Sequence, residues 1–220
     1  RVHDGFLLVA STWVVLPLFG ALPLLAYIPE LRFTDAYFEA VSGLTATGAT
    51  VLTGLDELPL SINLWRTFMH WVGGMGVIVL VVAILPLLGI GGRQLYKAEV
   101  PTPMKDSSLT PRIAETAKGL WMTYVLLTVA CGLCLWWAGL EGWDVVIHAF
   151  SIVGLGGFSN KDASLGHFAN LNVEIVAIVF ALLAGLNYAT HYLALTRRST
   201  HPYARDPEIP FYFAVLAFSI

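Results

Sequence analysis

SGLTATGAT (42–50) and SIVGLGGFS (151–159) are two tracts of glycine and small residues, each set between long apolar runs, and they align at a shift of 109 positions. In that register Asp35 meets Asp144, Ala40 meets Ala149, Ser42 meets Ser151, Gly48 meets Gly157, Thr50 meets Ser159, Asn63 meets Asn172 and Gly76 meets Gly185. A chain that twice sets down an apolar span, a short amphipathic segment, a glycine-bearing strip and another apolar span is predicted to build re-entrant loops in a membrane. Irregular backbone is tolerated at membrane depth only where protein buries it or where it lines a watery cavity. The doubled pattern points to a pore.

The 220 residues are 57% hydrophobic and 12% charged, with a mean hydropathy of +0.72, whereas soluble domains are roughly 45–50% apolar. The predicted class is an all-α integral membrane protein made of repeated units of helix, re-entrant pore loop and helix. Apolar spans lie at about 5–28, 67–90, 120–140 and 175–195, and a fifth begins at Ile209; each full span is near the roughly 20 residues that cross a hydrocarbon core. The chain opens on Arg1, without an initiator Met or a signal-peptide pattern, so a piece of a longer protein is expected. Residues 1–109 form the first unit with its connector, 110–207 the second, and 208–220 the start of a third.

Charge is distributed by side. Arg93, Lys97, Lys105, Arg112 and Lys118 fall between the second and third spans, and Arg197, Arg198 and Arg205 follow the fourth. The positive-inside rule makes these segments cytoplasmic. The opposite side carries Glu30, Asp35, Asp56, Glu57, Glu141, Asp144 and Asp162 against Arg32 and Lys161. Such an excess concentrates cations at an outer mouth, although ordinary solvated loop charge has the same appearance.

Pro17 and Pro23 remove backbone donors inside the first span and are expected to kink it. The segment after Pro29 reads as a short helix with Thr34 as N-cap and Asp35 in its first turn, where a carboxylate suits the helix dipole. It ends near Thr45 with its carbonyl end toward the membrane centre, favouring a cation there. Ala46–Thr50 then climbs out in extended form, with Gly48 supplying a geometry that a β-carbon hinders. In the second unit, Thr110-Pro111 is a helix start, Asp144 to about Ile152 is the second pore helix, and 153–158 is the matching strip with three glycines.

EAVSGLTATGATVLTGLDELP (39–59), HWVGGMGVIVLVVAILPLLGIGGRQLYKAEVPTPMKD (70–106), TPRIAETAKGLW (110–121) and GGFSNKDASLG (156–166) together resemble the TrkH/KtrB superfamily of potassium transporters, nearest its TrkH branch. The resemblance covers nearly the whole chain. It implies potassium uptake across the bacterial cytoplasmic (inner) membrane by a multi-pass, non-enzymatic protein with four such repeats around one pore, of which this chain holds two and the first turns of a third. Backbone carbonyls replace the ion's hydration shell in such filters. Carried over by register, the potassium ligands are carbonyls of Ala46, Thr47, Leu155 and Gly156, with Thr45, Gly48, Gly154 and Gly157 adjoining. Ala46 stands where many relatives carry threonine and Gly154 where many carry serine; neither change removes a carbonyl. The resemblance further implies a homodimer in membrane lipid and a cytosolic nucleotide-binding regulatory subunit of the TrkA type, for which the basic connector 91–112 is a candidate docking surface. No cofactor, transition-metal site or nucleic-acid partner is expected. Gating elements belong to the third and fourth repeats.

Cys131 and Cys134 have the spacing of a redox or zinc pair but lie inside an apolar run without histidine or cysteine partners, so they read as packing residues. The glycines of GGMG (73–76) and GIGG (89–92) lack the preceding strand of a nucleotide loop and read as close helix contacts. His148 meets Glu39 in the repeat register, and both are expected to brace the strips by hydrogen bonds. His70, His191 and Asn187 fit interhelical polar contacts. The main alternative is a secondary carrier for another cation or small solute that uses broken helices at a central site. A membrane enzyme lacks a nucleophile-and-base pair here.

Overall fold

A computed structural model of the chain describes residues 2–87 and 109–219. Among the described residues every regular element is helical. Helix α1 (Val2–Tyr27) runs through Pro17 and Pro23 as one helix. It is followed by the short α2 (Phe33–Leu44) and by α3 (Leu60–Leu87), 28 residues long. The order then repeats: α4 (Leu109–Trp137), the short α5 (Trp143–Val153), and α6 (Leu171–Ala184), with a 3-10 turn at Ser164–Phe168 before α6. Helices α7 (Tyr188–Arg197), α8 (His201–Arg205) and α9 (Glu208–Ser219) complete the chain. The windows Ala10–Tyr27 and Ala117–Trp137 are long and apolar enough to span a membrane.

Each short helix is held between its two long neighbours by its apolar face. Ala36, Ala40 and Leu44 of α2 recur at helical spacing and bury against Ala21 and Leu24 of α1 and Ile62 and Met69 of α3. In the second unit Ala149 and Val153 of α5 pack with Tyr124, Cys131 and Leu135 of α4 and Val173 and Phe180 of α6. Cys131 is therefore a core residue, as its apolar surroundings imply. The outer faces of α1, α4 and α6 keep large apolar side chains exposed, among them Phe19, Leu22, Leu126, Leu133, Ile175 and Ile178. Exposed apolar faces of that kind suit lipid or further protein, not water.

The two units meet through α3, which packs on α4 and α5. GGMG makes this possible. A β-carbon at Gly73 would overlap the Leu44 carbonyl oxygen at the end of α2, and one at Gly74 would sit 3.1 Å from Gly154 Cα. The small residues let α3 touch both pore-helix ends at backbone distance. Tyr124 Oη donates to the Trp71 carbonyl (2.9 Å) and Trp71 Nε1 to Thr128 Oγ1 (3.0 Å), closing α3 against α4.

Three local readings differ from the structure. The N-cap of α2 is Arg32, extended at φ −71°, ψ 149°, and Thr34 lies inside the first turn. Arg32 Nε pairs with Asp35 at 2.9 Å, so an ion pair across the first turn stands where a hydroxyl cap was expected. Leu109 is already helical, placing Thr110 within α4 instead of capping it. The apolar run 175–195 is also not one continuous helix, because α6 and α7 meet at 94°. Gly185 ends α6, and the Asn187 side chain accepts from the Ala189 N–H (2.9 Å) to start α7 afresh. His191 then ties the corner, with Nε2 2.8 Å from the Leu183 carbonyl and Nδ1 2.7 Å from Tyr203 Oη. Most of the basic connector 91–112 lies outside the described residues.

Candidate functional site

The strips after α2 and α5 share one backbone design. Thr45 N–H donates to Val41 O (2.9 Å), Ala46 N–H to Gly43 O (3.1 Å) and Thr47 N–H to Ser42 O (2.9 Å). Their partners 109 positions on do the same: Gly154 to Phe150 (3.0 Å), Leu155 to Ile152 (3.1 Å) and Gly156 to Ser151 (3.0 Å). The last two bonds of each set are the pair that closes a helix in a Schellman motif, whose turning residue is left-handed. That residue is Ala46 in one strip, at φ 52°, and Leu155 in the other, at φ 55°. Glycine usually fills such a position.

Two residues further on, Gly48 and Gly157 are again left-handed, at φ 78° and 87°. The strips are thus not simply extended; left-handed residues alternate with others. The two glycines differ in their surroundings. A β-carbon at Gly48 would overlap the Gly156 carbonyl oxygen, whereas no atom of the described residues lies within 4 Å of one at Gly157. Gly156 needs its missing β-carbon for another reason, because the His70 ring lies where that atom would go. His70 itself is fully buried and stacks on Phe158 with ring centroids 4.0 Å apart.

The turn frees carbonyls as well as shaping them. Among the described residues no protein hydrogen bond ends on the carbonyl oxygens of Ala46, Thr47, Leu155 or Gly156. Thr45, Thr47, Leu155 and Gly157 are exposed, so the strips present a face that none of the described residues covers. Because the left-handed Ala46 costs about 1–2 kcal/mol and a new glycine loosens the unfolded chain by about 0.4–1 kcal/mol, Ala46→Gly is expected to stabilise the full-length protein slightly. A thermal melt in detergent checks this, and a clear loss of stability would contradict the strain.

Behind the strips stands a polar layer. Glu39 of α2 and His148 of α5 occupy equivalent places, and each reaches the hydroxyl at the outer end of its own strip. Thr50 Oγ1 donates to the Glu39 carboxylate at 2.9 Å, and His148 Nε2 lies 3.0 Å from Ser159 Oγ. Nδ1 of His148 is 2.8 Å from the Asp144 carbonyl, which can only accept. That nitrogen therefore carries a proton, and in the neutral ring Nε2 accepts from Ser159. Arg66 of α3, which sequence reasoning passes over, is the hub: fully buried, it pairs with Glu39 at 2.7 Å. Its one sequence signal is a charge at the edge of an apolar span.

At the outer ends the loops clasp each other. Leu55 N–H donates to Asp162 Oδ1 and Asp162 N–H to Asp56 Oδ2, both at 3.1 Å, while Lys161 Nζ stands 3.3 Å from Asp56. The Asp162 N–H, with Lys161 and His167 adding to it, holds the Asp56 carboxyl below the usual carboxylate range. Part of the acidic excess is thus committed to joining the two units. Asp144 likewise accepts from Asn160 Nδ2 at 2.6 Å.

A family model described as cation transport protein, TrkH, matches residues 1–213. The Trk system potassium uptake protein TrkH of Escherichia coli (strain K12) is 52% identical over 216 residues, covering 98% of this chain and 45% of that protein. The Trk system potassium uptake protein TrkI of Halomonas elongata is 34% identical over 205 residues, covering 93% and 41% respectively. The crystal structure of the potassium transporter TrkH from Vibrio parahaemolyticus matches with a TM-score of 0.83 at 44% identity, over 98% of this chain and 43% of that one. The chain spans a little under half the length of these relatives.

Proposed function

The chain belongs to the TrkH cation transport family, and from that premise we propose that it forms part of a potassium uptake protein of the bacterial inner membrane. Residues 1–109 and 110–207 are two of its pore-forming repeats, and 208–220 begin a third. Potassium is held by the backbone carbonyls of Ala46, Thr47, Leu155 and Gly156, with Thr45, Gly48, Gly154 and Gly157 shaping the strips. The observation that carries this reading is the doubled left-handed turn, which leaves these four carbonyl oxygens without hydrogen-bond partners among the described residues, in strips where Thr47 and Leu155 are exposed. A ring of such oxygens replaces the hydration shell of a monovalent cation without needing any charged side chain. The whole protein works as a homodimer with a cytosolic nucleotide-binding regulatory subunit of the TrkA type.

Backbone coordination makes a discriminating forecast. The Thr47 hydroxyl is 2.7 Å from that of Thr45 and serves the strip, not the ion. Thr47→Val deletes it at similar volume and leaves the carbonyl, so rubidium uptake by the full-length protein in a host lacking its own potassium uptake is expected to stay near the parental rate. A dead Thr47→Val beside an active Thr47→Ser would move the ion to a side-chain site.

A further inference from the structure

We infer that Arg66 is a positioning residue for ion discrimination: its guanidinium fixes the spacing between the two strips by holding the outer end of each at once. The inference rests on the filter reading above.

The geometry is that of a cross-brace. Arg66 Nε donates to Glu39 Oε1 (2.8 Å), and Nη2 to Thr50 Oγ1 (3.1 Å) at the end of the first strip. Nη1 donates to the Ser159 carbonyl (3.1 Å) at the end of the second, and to Asn63 Oδ1 (3.2 Å) on its own helix. The Glu39 carboxylate meanwhile takes the Thr50 hydroxyl and the Val51 N–H (3.2 Å). The guanidinium face lies over Phe158, 4.4 Å from the ring centre. Phe158 is in turn stacked on His70, the ring that abuts Gly156. One rigid, planar cation thus touches both strip ends and, through two rings, the backbone at a proposed potassium ligand.

Among the described residues of the second unit no cation duplicates it. The position equivalent to Arg66 is Ile175, about half exposed on α6, and the side chain that meets the end of the second strip from its own pore helix is His148, at Ser159. The planar fork matters because five N–H donors in fixed directions can span acceptors on two strips, whereas an ammonium is a point charge on a flexible stem. Discrimination between cations of equal charge depends on how closely the carbonyl cage keeps its size and field. A tie that sets the distance between cage walls therefore acts on the ratio of ions passed.

The test uses the full-length protein in a host lacking potassium uptake, comparing initial rates of rubidium and sodium entry at matched membrane expression. Arg66→Lys keeps a charge beside Glu39 but cannot reach both strips, and is expected to lower the rubidium-to-sodium ratio about tenfold. Thr50→Val removes the hydroxyl shared by Arg66 and Glu39 at similar volume, and is expected to lower the ratio about threefold, with Thr50→Ser restoring it. If Arg66→Lys fails to reach the membrane, the Thr50 pair decides. A parental ratio in Thr50→Val, or in an inserted Arg66→Lys, overturns the inference. Gly48→Ala serves as the control on the filter reading: normal uptake there removes the filter itself, while a dead Gly48→Ala beside an unchanged ratio removes only the brace.

Discussion

Gly48→Ala in the full-length protein is expected to abolish rubidium uptake while the protein still inserts, and Gly157→Ala is expected to leave most of it. Both glycines are left-handed, at φ 78° and 87°, so alanine pays the same backbone cost at either, about 1–2 kcal/mol. That cost is bearable, because Ala46 and Leu155 already occupy the same region in the same strips. The difference is steric. At Gly48 the new methyl meets the Gly156 carbonyl oxygen, a backbone atom with His70 packed behind it, and at Gly157 it meets no described atom within 4 Å. One of the two must move, and the carbonyl that moves is one of the four proposed to hold potassium. Uptake at matched expression, with insertion checked by surface labelling, measures this. Equal activity of the two variants would sink the contact between strips, and a reversed order would show that they are arranged differently.

The sequence alone puts the two glycines on an equal footing, and the reason it cannot separate them lies in distance along the chain. Gly48 is special because of Gly156, 108 residues away, and no local pattern encodes that contact. The short helices were legible because each combines an acidic first turn, an apolar face and a following glycine, all within about 15 residues. The left-handed turns at Ala46 and Leu155 were hidden, since neither residue is the usual glycine of a helix-ending motif. Only the repeat register could have hinted that two dissimilar side chains share one backbone role. The corner at Gly185 escaped for another reason: hydropathy is blind to direction, and 175–195 stays apolar through a 94° bend. Asn187, a polar cap inside that run, was the available sign. Arg66 was masked by its position, where a charge at the end of an apolar stretch normally reaches water; here α2 and both strips close over it.

Glu39→Ala is expected to cost stability on the scale of a broken buried ion pair, about 3–5 kcal/mol. The guanidinium it strands is 0% exposed and keeps only neutral acceptors at Asn63, Thr50 and Ser159. Arg66→Met alone strands the opposite charge, leaving the carboxylate with only the Thr50 hydroxyl and the Val51 N–H. Removing both charges together reverses most of this. In Glu39→Gln with Arg66→Met no ion is left buried, the amide can still meet Thr50, and the thioether fills the space over Phe158. The two single losses should therefore exceed the double one, with a coupling of about 2 kcal/mol or more in melts of the full-length protein. Simple additivity would mean that the pair is solvated in the assembled protein. The stable double variant has also lost the link from α3 to the Ser159 carbonyl. Its rubidium-to-sodium ratio should stay low although its melting point has recovered, and that separation is what distinguishes a charge kept for holding two strips at a set distance from one kept for stability.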